Sequence, residues 1–364
     1  MELSGKEREY PGFDGIVGQK VPVRVLSHLI QAGHLPGTLL FSGPQGVGKL
    51  ATALAVAKRL HCRTGESRCD CDECRAIRTG NHPDVLVLSR ERDIKVDEMR
   101  EIVALTTLRT AGGHERVIII DRAENITQKG ANAALKALEE PGERVRFVLI
   151  ADKPESLLPT VRSRSYQVRF GLLSRDAMQE FALRAGGNAD DPDASKALDY
   201  ARNRPGTYLR MCHAPGYREA VENVAKWARG VIGSREKRPV EAALRWKAEY
   251  RETADHLATV ERNAGLPRGG DVDEIGLFYS RQGYVVSPVN WRVEEQSDRE
   301  SRWNEGRKIL LLARTIRHIL SFEEMSVRQR ALPAIQDFIR KMNQSCSFDI
   351  SLERLYFGLS GSSS

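Results

Sequence analysis

The sequence predicts a parallel α/β phosphate-binding domain followed by helical domains, and three observations carry that reading. Up to about residue 170, short apolar runs alternate with helical patterns, as strands joined by helical crossovers do. One run, "TLLFS" (38–42), leads straight into the glycine-rich turn "GPQGVGKL" (43–50), and "LATALAVAKRLHC" (50–62) continues as a helix. That strand–loop–helix order is what a phosphate loop needs. After Phe170 the strand signals nearly stop.

Taken in order, "DVLVL" (84–88) reads as a buried strand and "VDEMREIVALTTL" (96–108) as an amphipathic helix. "RVIIID" (116–121) is a strand ending in an acid. "TQKGANAALKALEE" (127–140) is a helix with Thr127 as N-cap and Pro141 just past its end. "VRFVLIA" (145–151) and "YQVRF" (166–170) complete the strands. Residues 174–212 suggest a small helical unit, broken by "GGNADDPD". From about Tyr217 the chain is helical and charged, with an apolar stripe through Val221, Val224, Ala228 and Val231. Residues 264–303 lack periodicity and read as a long loop or insertion. Helices are expected near 302–322, 325–344 and 348–357, and the tail "GLSGSSS" is expected to be disordered.

Within the glycine loop, Gly43, Gly46, Gly48 and Lys49 supply what cradles phosphate: backbone N–H groups and a lysine that reaches the outer oxygens. Leu50 stands where the pattern has Ser or Thr, so no hydroxyl is offered to Mg²⁺. These residues could hold ATP or ADP, while turnover is disfavoured. Asp121, ending "IIID", suits a second metal-holding position. The residue after it is Arg122, which cannot accept a proton as a water-orienting acid would. Glu124 falls three residues past Asp121 and is expected to lie beyond the strand end, aimed away.

Four cysteines, Cys62, Cys69, Cys71 and Cys74, crowd into thirteen residues, while Cys212 and Cys346 stand alone. Four thiolates in a short polar stretch suit a tetrahedral structural zinc; the alternative is a set of reduced, unliganded thiols on a loop. A disulfide framework would need an oxidising compartment and a smaller domain, so the chain reads as cytoplasmic. No run of about 18 apolar residues is present, and the polar first ten residues give no sign of a secretion signal. A formal charge of +7 permits contact with nucleic acid without demanding it. Arg162 and Arg164, in "LLPTVRSRSYQVRF", would on their own be solvated loop residues.

Together these stretches resemble the bacterial clamp-loader subunits of the AAA+ superfamily, most closely the delta-prime type within DNA polymerase III. The likeness runs from "FDGIVGQ" (13–19) through "LLFSGPQGVGK", the cysteine insertion, "NHPDVLVL", "VIIID", "ANAALKALEEP" (131–141) and "LLPTVRSRS". "SFDISLERLYF" (347–357) is similar to a closing collar helix. The resemblance implies an AAA+ domain over 1–170 with a zinc module at 62–74, a helical lid over 171–215, a helical collar for oligomerisation over 216–358, and a tail at 359–364. It implies a five-membered ring with tau/gamma and delta partners that loads a sliding clamp on primer–template DNA during replication. In that ring this chain would act as a subunit without intrinsic ATPase activity, lending Arg164 in trans to a neighbour's nucleotide. The signature around that arginine reads Ser163-Arg164-Ser165, without the family's cysteine, and Ala151 falls where active subunits carry a polar sensor. Two alternatives stand beside this reading. One is an active ATPase of the tau/gamma or helicase-loader type. The other is a zinc-dependent DNA-binding module on a decayed AAA+ fold.

Overall fold

The computed structural model describes residues 12–64, 69–89, 93–110, 115–187, 192–213, 216–231, 239–263 and 331–338, with Leu312, Ile316, Leu355, Tyr356 and Leu359. Five parallel strands form one sheet in the order β2-β3-β4-β1-β5. They are β1 (Thr38–Ser42), β2 (Val85–Ser89), β3 (Arg116–Asp121), β4 (Val145–Ala151) and β5 (Tyr166–Arg169). The three central strands are almost wholly apolar because both faces of a parallel sheet are covered. On one face Leu39, Phe41, Val117, Ile119, Val148 and Ile150 pack with residues of α1 (Lys20–Gln31), α2 (Lys49–His61) and α3 (Asp72–Thr79). On the other, Leu40, Ile118, Ile120, Phe147 and Leu149 meet α4 (Val96–Thr106), α5 (Gln128–Glu139) and α6 (Pro159–Ser163). The alternation along each strand sorts neighbours to opposite faces.

The expected strands and the helices after the glycine loop, at 96 and at 127 are present, with ends differing by no more than two residues. Thr127 caps α5 as its position suggested: its Oγ1 accepts from the Gly130 N–H at 3.1 Å. Helices α1 and α3 carry no expectation from the sequence. One ion pair lies inside the apolar frame: Arg116 Nη2 donates to Asp84 Oδ1 at 2.7 Å, with side chains 7% and 2% exposed. Arg116 also donates to the carbonyls of Leu105, Leu108 and Arg109, tying the end of α4 to the first residue of β3.

The described residues through Leu209 form one compact unit, which also holds α7 (Arg175–Arg184) and α8 (Pro192–Ala201). Those from Arg210 onward form a second. Between them α9 (Pro205–His213) spans the change. In the second unit α10 (Tyr217–Val231) and α11 (Pro239–Asn263) pack together around aromatic rings. Trp227 stacks on Trp246 at 5.4 Å, and Trp246 touches the buried Tyr250 and Tyr356. The loop expected at 264–303 lies outside the described residues, as do most of the later helices. Leu312, Ile316, residues 331–338, Leu355 and Tyr356 are helical. Leu359, placed in the tail by the sequence, is helical and buried.

Candidate functional site: a phosphate loop with carboxylates at its mouth

β1 ends at Ser42 and α2 begins at Lys49, so the loop lies at the carboxyl edge of the sheet against a helix N-terminus, where backbone N–H groups favour anions. Gly43, Gly46 and Gly48 have φ of 143°, 79° and 102°, which L side chains rarely adopt. At Gly43 a Cβ would also sit 2.2 Å from the Phe170 carbonyl oxygen. Gln19, from "FDGIVGQ", clamps the loop: its Nε2 donates to the carbonyls of Val47 (3.1 Å) and Gly171 (2.8 Å). From the other side the Gly206 N–H, in the first turn of α9, donates to Gly46 O at 2.8 Å. Leu50, in the hydroxyl's place, packs against the apolar core.

Lys49 is 5% exposed. Its Nζ donates to Gly43 O at 2.7 Å, to Pro44 O at 2.8 Å and to Asp152 Oδ1 at 2.8 Å. The strand register delivers that carboxylate. β1 lies beside β4 with Ser42 opposite Ala151, and the Gly43 N–H donates to Ala151 O at 3.3 Å, so Gly43 and Asp152 come next on neighbouring strands.

Asp121 sits at the tip of β3, where Ser89 Oγ donates to its Oδ2 at 2.9 Å. Burial pushes the Asp121 carboxyl up and Asp152 adds to this, while Arg122, Ser89 and Lys49 pull it down. Arg122 turns the chain in the left-handed region, φ 56°, uncommon for a residue with a side chain. That turn corrects the expectation for Glu124. Its carboxylate does not point away but comes back to the strand tips, where Oε1 accepts from the Asp152 N–H at 3.4 Å. Burial raises its carboxyl, and the charges of Asp152 and Asp121 push the same way. The loop thus offers phosphate donors, one acid suited to a metal, and two further carboxylates.

The four cysteines converge: the sulfurs of Cys62, Cys69, Cys71 and Cys74 lie within 4.8 Å of one another. Cys62 caps the end of α2, Cys71 precedes α3 and Cys74 lies buried in its first turn. Burial raises the Cys74 thiol far above its ordinary range, and hydrogen bonding to Cys62 and Cys71 adds to this. Four sulfurs this close, with Cys74 hydrogen-bonded to Cys62 and Cys71, could hold one metal ion, and four thiolates are a donor set that suits tetrahedral zinc. Beside them His82 Nδ1 accepts from the Asp84 N–H at 3.1 Å, which leaves Nε2 to donate to Glu73 Oε2 at 2.7 Å. That bond fastens the cysteine module to the start of β2.

Arg164 is not at the glycine loop. It follows α6, just before β5, with Nε 2.9 Å from Glu139 Oε2 and Nη1 donating to Thr160 O at 3.2 Å. Tyr166 pairs with Leu39, four residues before Gly43, so the sheet separates the two by roughly 13 Å at about 3.3 Å per residue. Arg164 borders an open hollow of about 510 Å³ lined also by Glu139, Glu140, Arg146 and Tyr166. Arg162 is exposed on the same short helix.

Fold and site together define a P-loop α/β module with an incomplete metal position and a cysteine insertion. Residues 18–174 match the protein-family model described as DNA polymerase III, delta subunit. The chain is 34% identical over 206 residues to DNA polymerase III subunit delta' of Pseudomonas aeruginosa, covering 54% of this chain and 62% of that protein. It is 32% identical over 196 residues to DNA polymerase III subunit gamma of Buchnera aphidicola, covering 52% of this chain and 54% of that protein. Less than two thirds of either relative is matched. A solved gamma subunit-related protein from Thermotoga maritima aligns over 92% of this chain and 98% of its own length at 17% identity, with a TM-score of 0.47. Over the matched segment, the chain is similar to the delta' and gamma subunits of DNA polymerase III.

The structure brings together the glycine loop, places Asp121 at a strand tip and gathers the four cysteines that the sequence singled out. The roles of Gln19, Asp152 and Glu124 are not legible in the sequence. Gln19 stood in a quoted motif without a partner, and Asp152 and Glu124 gain their places from strand pairing and the Arg122 turn.

Proposed function

We propose that this chain is a clamp-loader subunit that does not hydrolyse ATP and lends Arg164 in trans to a neighbouring ATPase subunit. Its relatives include both delta' and gamma subunits at nearly equal identity, so the choice between them rests on this chain's own residues. The observation that carries it is the pairing of two losses on an intact loop: Leu50 packs against the core where a metal hydroxyl belongs, and Arg122 takes the place of the acid after Asp121. The position of Arg164 supports the trans role, since it stands at the opposite edge of the sheet from its own loop. A guanidinium offers a planar fork to phosphate oxygens that lysine cannot reproduce.

Under this reading the residues up to 170 form the AAA+ domain, 171–215 the lid and 216–358 the collar that joins tau/gamma and delta subunits in a cytoplasmic complex. The sliding clamp and primer–template DNA are met through that complex. Cys62, Cys69, Cys71 and Cys74 hold a structural zinc. Among the described residues no helix is long and apolar enough to cross a membrane.

The test is reconstitution. Mixed with tau/gamma and delta subunits, the chain should enter a complex of defined mass, and Arg164→Ala should leave assembly intact. DNA- and clamp-stimulated ATPase should fall, by less than the 10³–10⁵ of a single-site arginine finger because only one site faces it. Unchanged ATPase and clamp loading would remove the trans role. A second reading, an active ATPase, is favoured by the carboxylate of Glu124 at the strand tips. It predicts turnover by the isolated chain that is abolished by Lys49→Ala and Glu124→Gln.

A further inference from the structure

We propose that Asp152 is a built-in plug of the phosphate loop, occupying the lysine donor that the outer phosphates of a nucleoside di- or triphosphate would take. This rests on the reading of the chain's own loop as idle, and assigns the closure to one residue.

An ammonium group has three hydrogens to donate. Those of Lys49 meet Gly43 O, Pro44 O and Asp152 Oδ1 at 2.7, 2.8 and 2.8 Å, so the set is complete without phosphate. At 5% exposure water cannot easily exchange for them. The two carbonyl bonds come from the loop itself and hold the lysine back along it. The third partner alone is a charged side chain, and it has the sign of the missing ligand. Asp152 is held in turn through its own main chain: Ala151 is paired with Ser42, and the Asp152 N–H donates to the Glu124 side chain at Oε1. An incoming polyphosphate must displace one carboxylate from Lys49 and then sit beside Asp121 and Glu124. Without the hydroxyl lost at Leu50, the Mg²⁺ that would offset those charges has a poor seat. The loop keeps its shape, fixed by Gln19 and Gly206, while its anion site is filled from within.

The experiment titrates the full chain with ADP and with ATP, each with Mg²⁺, by calorimetry. Wild type is compared with Asp152→Asn, Asp152→Ala and Asp152→Ala/Lys49→Ala, with the thermal melt as the check on folding. Freeing the lysine should tighten binding by roughly ten- to hundredfold in both single variants, the worth of one charge-assisted hydrogen bond. The double variant should lose that gain, which a merely structural effect of Asp152 would not produce. Asp152→Asn and Asp152→Ala that fold normally yet bind no more tightly than wild type would overturn the plug. So would a gain that survives loss of Lys49. Turnover by the wild-type chain would instead overturn the idle-loop reading, a separate outcome.

Discussion

Lys49 and Arg164 each face a carboxylate at nearly the same distance, 2.8 Å to Asp152 and 2.9 Å to Glu139, yet the two pairs differ in kind. Lys49 is 5% exposed, so its partner replaces water it cannot regain. Arg164 and Glu139 are 34% and 51% exposed, and such a pair is worth about 0–1 kcal/mol. An arginine meant for another subunit's phosphate must be free to leave its resting partner at little cost. Glu139→Gln is therefore expected to leave the ATPase of the assembled complex within about twofold of wild type, in contrast to Arg164→Ala. A large loss in Glu139→Gln would mean the pair builds the interface instead. Glu124 supplies a pH-dependent counterpart. Its folded carboxyl lies above the ordinary 4.5, raised first by burial and then by Asp152 and Asp121. Between 4.5 and that raised value the folded chain holds more protons than the unfolded one, so stability falls as pH rises through the window. Above it the full penalty remains. Glu124→Gln, which keeps the oxygen facing the Asp152 N–H, is expected to raise the melting temperature at pH 7 and to leave it nearly unchanged at pH 4. Equal shifts at both pH values would show that charge is not the cause.

Among the elements, what the sequence made legible is what local rules write. The strands are short apolar runs bounded by turn residues, and α5 begins at Thr127 because a side-chain oxygen there satisfies an N–H that the helix leaves open. The chemistry of the glycine loop and the cysteine spacing are also local, and so could be read. What could not be read is made by pairing across the chain. Asp152 meets Lys49 only because β1 lies beside β4, with more than a hundred residues between them. The Asp84–Arg116 pair was hidden in the same way, inside two runs that read as apolar strands. It yields a stability prediction. Arg116→Ala leaves Asp84 buried without its guanidinium and frees three carbonyls, which should cost about 3–5 kcal/mol in urea denaturation. Replacing both residues, Arg116→Met with Asp84→Leu, should cost less than the two single changes added together, because no lone charge stays behind. Additive losses would mean the ion pair itself contributes little.

For the whole molecule, the cysteine module is where a bound ion would change the stability of the chain most. It bridges the end of α2, whose other end carries Lys49, to α3 and on to β2 through the Glu73–His82 bond. An ion at Cys62, Cys69, Cys71 and Cys74 would add a cross-link to segments that already meet through the apolar core and the Glu73–His82 bond. It would also turn the burial that raises the Cys74 thiol from a cost into a bonded thiolate, since zinc takes the deprotonated sulfur. Protein purified without chelator is expected to hold one zinc per chain by elemental analysis. Its removal should cost on the order of 3 kcal/mol or more, as loss of a cross-link does. That corresponds to about 6–12 °C in a unit of 150–250 residues. Cys74→Ser should abolish zinc retention and lower the melt by a similar amount, with no further fall on adding chelator. The second unit contains none of these ligands, so a two-step melt should shift in one step only. If zinc-free protein melts at the same temperature as the purified chain, the four thiols are packing groups and the module needs no metal.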